Sequence, residues 1–337
     1  MKWVGEAKAG SGPAPAARGG HAGVSVGNSC YFFGGADRTL QVFDEVLKCR
    51  VEGESVAWQK VSLSVQGGGG CATRTGCSCV AVGQHMYVFA GQEPRTGALF
   101  NDVLKVDLGT MTLTRVEVNG GSPPPRHSHS CVRMNDKCLF VFGGAGKDAP
   151  LNDSWIFDTE SASWTYPAVT GSIPRPREMH SAAAVGGSVV VFGGRDVEGR
   201  VLQDLCVLDA EKMAWDKPRR TGHPRCAHTC VPVSLREPVV AGTVVAESSE
   251  EEGQRGLMVL GGFSGQHVES SVLFISHDLS SVVDVTDQIS GAPPNPSFAH
   301  VSLPIEAEGV GVTEAILSFG GINLSEDSNN TSLLSFE

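Results

Sequence analysis

Short apolar runs recur along the whole chain, each broken by glycine, proline or a polar turn, and none approaches the roughly 18 consecutive apolar residues of a membrane span. Such a pattern predicts many short strands. The clearest unit is an apolar strand closing on two glycines: "CYFFGG" (30–35), "MYVFAG" (86–91), "LFVFGG" (139–144), "VVVFGG" (189–194), "LMVLGG" (257–262) and "AILSFGG" (315–321). Measured at the first glycine position, successive copies are separated by 56, 53, 50, 68 and 59 residues. The long step requires an insertion.

Two further phases share this period. Before each copy stands a turn with Arg, two residues, then His: Arg18/His21, Arg126/His129, Arg177/His180 and Arg225/His228, with drifted versions at Arg74/Cys77 and Ser297/His300. After the glycines comes a strand such as "FNDVLKVD", "LNDSWIFD" or "LQDLCVLD", and an apolar residue follows its last Asp by six positions (Leu113, Trp164, Trp215). Trp58 and Val282 hold the corresponding places in the first and fifth units. Each unit therefore predicts four short strands. The paired glycines mark a position where a side chain would clash or where a positive φ is needed. A sheet of this kind cannot bury both faces alone, and radial stacking of several sheets solves that problem.

On these repeats the chain resembles the kelch-repeat β-propeller family over essentially its whole length. The resemblance implies an all-β fold: a six-bladed propeller with four-stranded blades, forming one domain over residues 1–337. Departures are Ala90 for a glycine, Cys77 for a histidine, Ser297 for an arginine, and the missing Trp of the second and fifth units. The sixth unit reaches only its third strand at "LLSFE", whereas the chain opens on "MKWVGEA", with Trp3 at the Trp position. The N-terminal strand is expected to complete the last blade and close the ring.

Composition narrows the function. A formal charge of −11 leaves no basic field for nucleic acid phosphates or anionic lipid. The ten cysteines fall mostly within apolar runs, where a thiol acts as a small hydrophobe, and no export signal is visible. The expectation is a cytoplasmic monomer with no membrane or nucleic acid partner.

No enzyme signature stands out. "CSC" (77–79), "HSH" (127–129) and "CAHTC" (226–230) lack metal-ligand spacing and read as strand starts, so no cofactor or metal is expected. The recurring Arg and His residues read as structural groups that hydrogen-bond carbonyls of adjacent turns. The tyrosines Tyr31, Tyr87 and Tyr166 do not suggest the copper ligands of galactose-oxidase-like propellers, and the Glu-x-x-x-Asp-x-x-x-His pattern of nitrile-specifier proteins is missing. A small-molecule enzyme of the specifier or mutarotase kind remains the alternative.

The leading expectation is a non-catalytic scaffold or adaptor. The resemblance implies that the loops after Gly-Gly and the Pro/Arg turns share one face around the channel mouth, where the family commonly receives a peptide; stand-alone propellers of the Rab-effector and ubiquitin-ligase substrate-receptor types are similar. Arg38, Arg95, Lys147 and Arg195 occur in four consecutive loops, Phe263 in the fifth, and Arg126, Arg177 and Arg225 on the turns behind. Guanidinium groups converging on a mouth suit an acidic peptide or a C-terminal carboxylate. The alternative is that these cations pair with local acids such as Asp37, Glu93, Asp148 and Asp196. The long step is assigned to an acidic-tipped insertion at residues 236–255, carrying Glu247, Glu250, Glu251 and Glu252, on the opposite face: a solvated loop or a second contact surface for a basic partner.

Overall fold

The computed structural model describes residues 1–6, 8, 9, 12, 14–66, 73–235, 254–306 and 313–336. Their strands form six sheets. In blade one, the strands Ala22–Val26, Ser29–Phe33, Val46–Glu52 and Ser55–Val61 pair antiparallel in succession. Blades two to five repeat the order, beginning at Ser78–Val82, Ser130–Arg133, Ser181–Val185 and Thr229–Leu235. The inner strands touch their neighbours in a closed circle, from Ala22–Val26 round to Val301–Glu306 and back.

The sixth blade takes its fourth strand from the start of the chain. Lys2–Glu6 runs antiparallel to Thr331–Ser335, with Lys2 opposite Ser335 and Trp3 opposite Leu334. Trp3 is buried beside Ile316, Leu334 and Val285. Trp58, Leu113, Trp164, Trp215 and Val282 occupy the same register against their own third strands. The sequence spacing therefore marks one slot per blade.

The core is divided between the blades. Alternating side chains of each sheet point to its two faces, and each of the six apolar clusters is built from two neighbouring blades. Phe140 and Phe142, for example, meet Val189, Val191 and Trp215 of the next blade. The ring therefore stabilises every sheet through its neighbours.

The blades are not uniformly four-stranded. Lys8–Ala9, Ser64–Gln66 and Thr170–Gly171, which lie on the links between blades, add a parallel strand to the outer edge of blades one, two and four. A single-residue bridge does the same on blades three and six. The acidic run at 247–252 lies outside the described residues. Its neighbours Gln254 and Arg255, counted with the insertion from sequence, instead open the second strand of blade five, Gln254–Leu260. The paired residues Leu235 and Gln254 sit at the end of this hairpin remote from Gly261 and Gly262.

Candidate functional site

The twinned glycines explain how the mouth is built. The second glycine of each pair donates its N–H to the carbonyl at the Arg position of the next blade: Gly35 to Arg74, Gly91 to Arg126, Gly144 to Arg177, Gly194 to Arg225, Gly262 to Ser297 and Gly321 to Arg18, at 2.7–3.0 Å. Both the conformation and the space exclude other residues. Gly144 has φ +98°, and a Cβ there would lie 2.6 Å from the Cβ of His129.

Closer to the axis, six peptide groups bond head to tail. Gly20 donates to Ala299, Ala299 to Ala227, Ala227 to Met179, Met179 to Ser128, Ser128 to Gly76 and Gly76 back to Gly20, at 2.7–3.0 Å. All six adopt left-handed φ values between +51° and +65°. Four of them are not glycine, so the closed collar holds conformations that L-residues rarely adopt.

The recurring Arg and His side chains lie within this framework. Arg126 donates to the Gly143 carbonyl at 2.8 Å and pairs bidentately with Asp153 at 2.7 Å; Arg177 does the same with Gly193 and Asp204. Arg74 pairs with Asp102, and Arg18 with Glu45. Burial pushes the carboxyls of Asp153 and Asp204 up, but the guanidinium hydrogen bonds and charge outweigh it, leaving both below the usual range. In blade five the acid is replaced, and Arg225 bonds Gly261 and Ser271.

The imidazoles work between blades, where four of them also meet hydroxyls. His129, His180, His228 and His300 place Nε2 at 2.7–3.2 Å from Ser78, Ser130, Ser181 and Thr229 of the preceding blade. Their repetition has a structural cause.

A cavity of about 420 Å³ occupies the mouth, lined by the collar and by Arg38, Asp37, Gln92, His127, Ile322 and Asp327 among others. Of the loop cations singled out from sequence, Arg38 borders it. Arg38 also bridges to blade six: its N–H meets Asp327 at 2.8 Å, and its guanidinium reaches the Asn323 carbonyl. Arg195 forms a 2.5 Å ion pair with the buried Glu178, which raises the guanidinium pKa. Arg95 donates to the Leu40 carbonyl of blade one, whereas Lys147 lines a separate groove of about 650 Å³ with Pro124, Pro125 and Leu151. Phe263 is half-buried, its backbone paired with Cys226 and its ring 6.1 Å from Phe298.

Arg126, Arg177 and Arg225 need correction. Each is at most 1% exposed, with its guanidinium committed to protein partners, so none stands on the mouth behind the loop cations. Asp327 and Glu178 were missed, because their places depend on which neighbouring loop each meets. The loops also expose Leu40, Val197 and Leu324. Among the described residues no three His, Cys, Asp or Glu side chains converge as a metal-holding group, and no helix is long and apolar enough to cross a membrane.

Comparisons with known proteins agree with this architecture. The family model of the KLHDC2/KLHL20/DRC7 Kelch-repeats domain matches residues 6–165 and 76–244. Kelch domain-containing protein 3 of Bos taurus is 28% identical over 252 residues, covering 71% of this chain and 64% of that protein. Rab9 effector protein with kelch motifs, also of Bos taurus, is 32% identical over 173 residues, or 48% of this chain and 46% of that protein. Acyl-CoA-binding domain-containing protein 4 of Arabidopsis thaliana is 27% identical over 195 residues, 58% of this chain but 27% of that longer protein. With six closed blades, the buried Arg pairs and a family match across most of its length, the chain belongs to the kelch-repeat family.

Proposed function

We propose that this chain is a non-catalytic interaction module that receives a peptide of a partner protein on its mouth face. The observation carrying the reading is the cavity itself, bordered by residues from all six blades, with Arg38 and Ile322 in its lining. Leu40, Val197 and Leu324 offer apolar contact, and Arg38, Arg95, Lys147 and Arg195 offer guanidinium and ammonium groups to an acidic segment or a terminal carboxylate. Kelch-repeat relatives are generally interaction modules, and the comparisons lend no support to the enzymatic alternative.

Capture from a cell lysate, followed by a titration of the captured partner, tests the proposal. The parent chain is compared with an Arg95→Glu, Lys147→Glu, Arg195→Glu variant at two salt concentrations. The expected result is loss of the partner by the variant and weaker binding to the parent at high salt, since a Debye length of about 8–10 Å gives way to a shorter one. Equal capture by both proteins, with matching melting curves, would refute the mouth as the binding face.

A further inference from the structure

Five of the six outer blade edges are covered by the chain itself. Ser290 pairs with Lys2 on blade six, Lys8–Ala9 with blade one, Ser64–Gln66 with blade two, Asn119 with Ser163 on blade three, and Thr170–Gly171 with blade four. On blade five, whose outer strand is Val282–Asp284, no described residue pairs beyond that strand. The linker from blade four instead folds back, with Arg219–Arg220 pairing to Leu205 and Asp204 of its own blade.

The cause is visible in the sequence. In the other five turns a glycine stands six residues before the Arg position (Gly12/Arg18, Gly68/Arg74, Gly120/Arg126, Gly171/Arg177, Gly291/Ser297); into blade five, Gly222 stands only three before Arg225. The shortened link runs directly to the mouth and leaves the edge open. Ser276 N–H bonds the Ser281 carbonyl and Val285 N–H bonds the Val272 carbonyl, so by alternation the N–H and C=O groups of Val282 and Asp284 face outward. Such an edge is a template for another strand.

Charge indicates the occupant. Lys217, Arg219 and Arg220 are exposed on the link that enters blade five, in an acidic protein, and none has a carboxylate partner among the described residues. Arg219 reaches across to the Ser280 carbonyl, two residues before the open strand. The adjacent acids Asp278 and Asp284 are tied to the hydroxyls and N–H groups of Ser276, Ser280 and Thr286. We infer that the outer edge of blade five accepts an extended acidic segment of a partner protein, running parallel to Val282–Asp284 as the linker strands do on the other blades. This surface is distinct from the mouth.

A fluorescein-labelled peptide of alternating Val and Glu, with a Val/Lys peptide as control, tests the inference by anisotropy titration and amide hydrogen exchange. Binding of the acidic peptide is expected to protect the Val282 and Asp284 amides. Val282→Pro removes an outward donor without breaking the inner ladder and should weaken binding about fivefold to tenfold. Lys217→Glu with Arg219→Glu and Arg220→Glu should abolish the preference for the acidic peptide, while melting curves report that both variants fold. Failure of the acidic peptide to bind, or equal binding by folded Val282→Pro, overturns the inference. So does protection in the peptide-free protein: if it rises with protein concentration the occupant is a second copy, and if it disappears on deletion of residues 236–253 the occupant is this protein's own acidic segment.

Discussion

Lowering the pH from 7.5 to 5.5 should destabilise this propeller well before its carboxylates begin to titrate. His21, His180 and His300 are 5–8% exposed and packed between blades. Burial, reinforced for His21 by Arg18 and for His180 by Arg177, lowers their pKa values to about 3, about 3 and about 4. Those of His129 and His228 also fall well below the ordinary value, mainly through burial. In the unfolded chain each histidine titrates near 6.5. Between that value and about 4 the unfolded state binds protons that the folded state refuses, so stability falls as the pH is lowered. From pH 7.5 to 5.5, a window that straddles the unfolded value, each group contributes about 1.4 kcal/mol in all, and the three with stated values together about 4 kcal/mol. That is a large share of a typical 5–15 kcal/mol stability. Glu45, Asp153 and Asp204 have depressed folded pKa values despite burial, so their contribution is lost only at lower pH. Urea titrations at pH 7.5, 6.5 and 5.5 should show the midpoint falling at constant slope. His180→Gln, which can retain a hydrogen bond to Ser130, should reduce the pH dependence by one group's share. An unchanged midpoint between pH 7.5 and 5.5 would refute the argument.

Trp3→Ala should cost about 3–5 kcal/mol, because the ring is 6% exposed and fills the slot that closes the sixth blade; a urea midpoint equal to the parent's would contradict the closure. Arg177→Ala leaves Asp204 without its bidentate partner and should lose about 3–5 kcal/mol, with Arg177→Lys a poor substitute because a single ammonium cannot reproduce the fork. Thermal melts of both variants check this. Gly144→Ala should lower the melting temperature sharply, since φ +98° and a 2.6 Å approach to the His129 side chain leave no relaxed position for the methyl group. Tyr166→Ala, at 63% exposure, should change stability by less than about 0.5 kcal/mol and serves as the control.

The repeat was legible because its causes are local. A glycine with positive φ, an apolar strand before it and a Trp slot after it each restrict residue type at a fixed position, and six copies repeat that restriction. The ring closure followed from Trp3 alone occupying the unfilled slot. The His–Ser links were not legible, because each partner lies in another blade about fifty residues away and serine is common at strand starts. For the same reason the loop cations were read too simply. Whether Arg38 faces a ligand or Asp327 depends on a loop 289 residues distant in sequence, and the buried Glu178 beside Arg195 carries no local mark. The Asp153 and Asp204 partners of the buried arginines were closer to view, each following its Arg by 27 residues.

A group that recurs from blade to blade says little about what any one surface recognises. The buried Arg pairs, the His–hydroxyl links and the peptide collar recur because each joint of the ring meets the same problem of buried polar backbone. Specificity must therefore come from places where the repeat fails. Around the mouth, those are the unlike loops that bring together Arg38 and Asp327 on one side and His127, Glu178 and Arg195 on another. Elsewhere the failures gather in blade five: Ser271 replaces the acid that pairs with Arg, Val282 replaces Trp, the incoming link is three residues shorter, and the longest interruption of the period falls there. Any one change is an ordinary lapse of a repeat. The short link leaves the edge without a covering strand and Val282 reduces the side chain at the outer slot, while Arg219, one of three exposed cations on that link, reaches the Ser280 carbonyl. Among the described residues, only the outer edge of blade five lacks a covering strand, and that is the physical ground on which the inferred second surface differs from the rest of the rim.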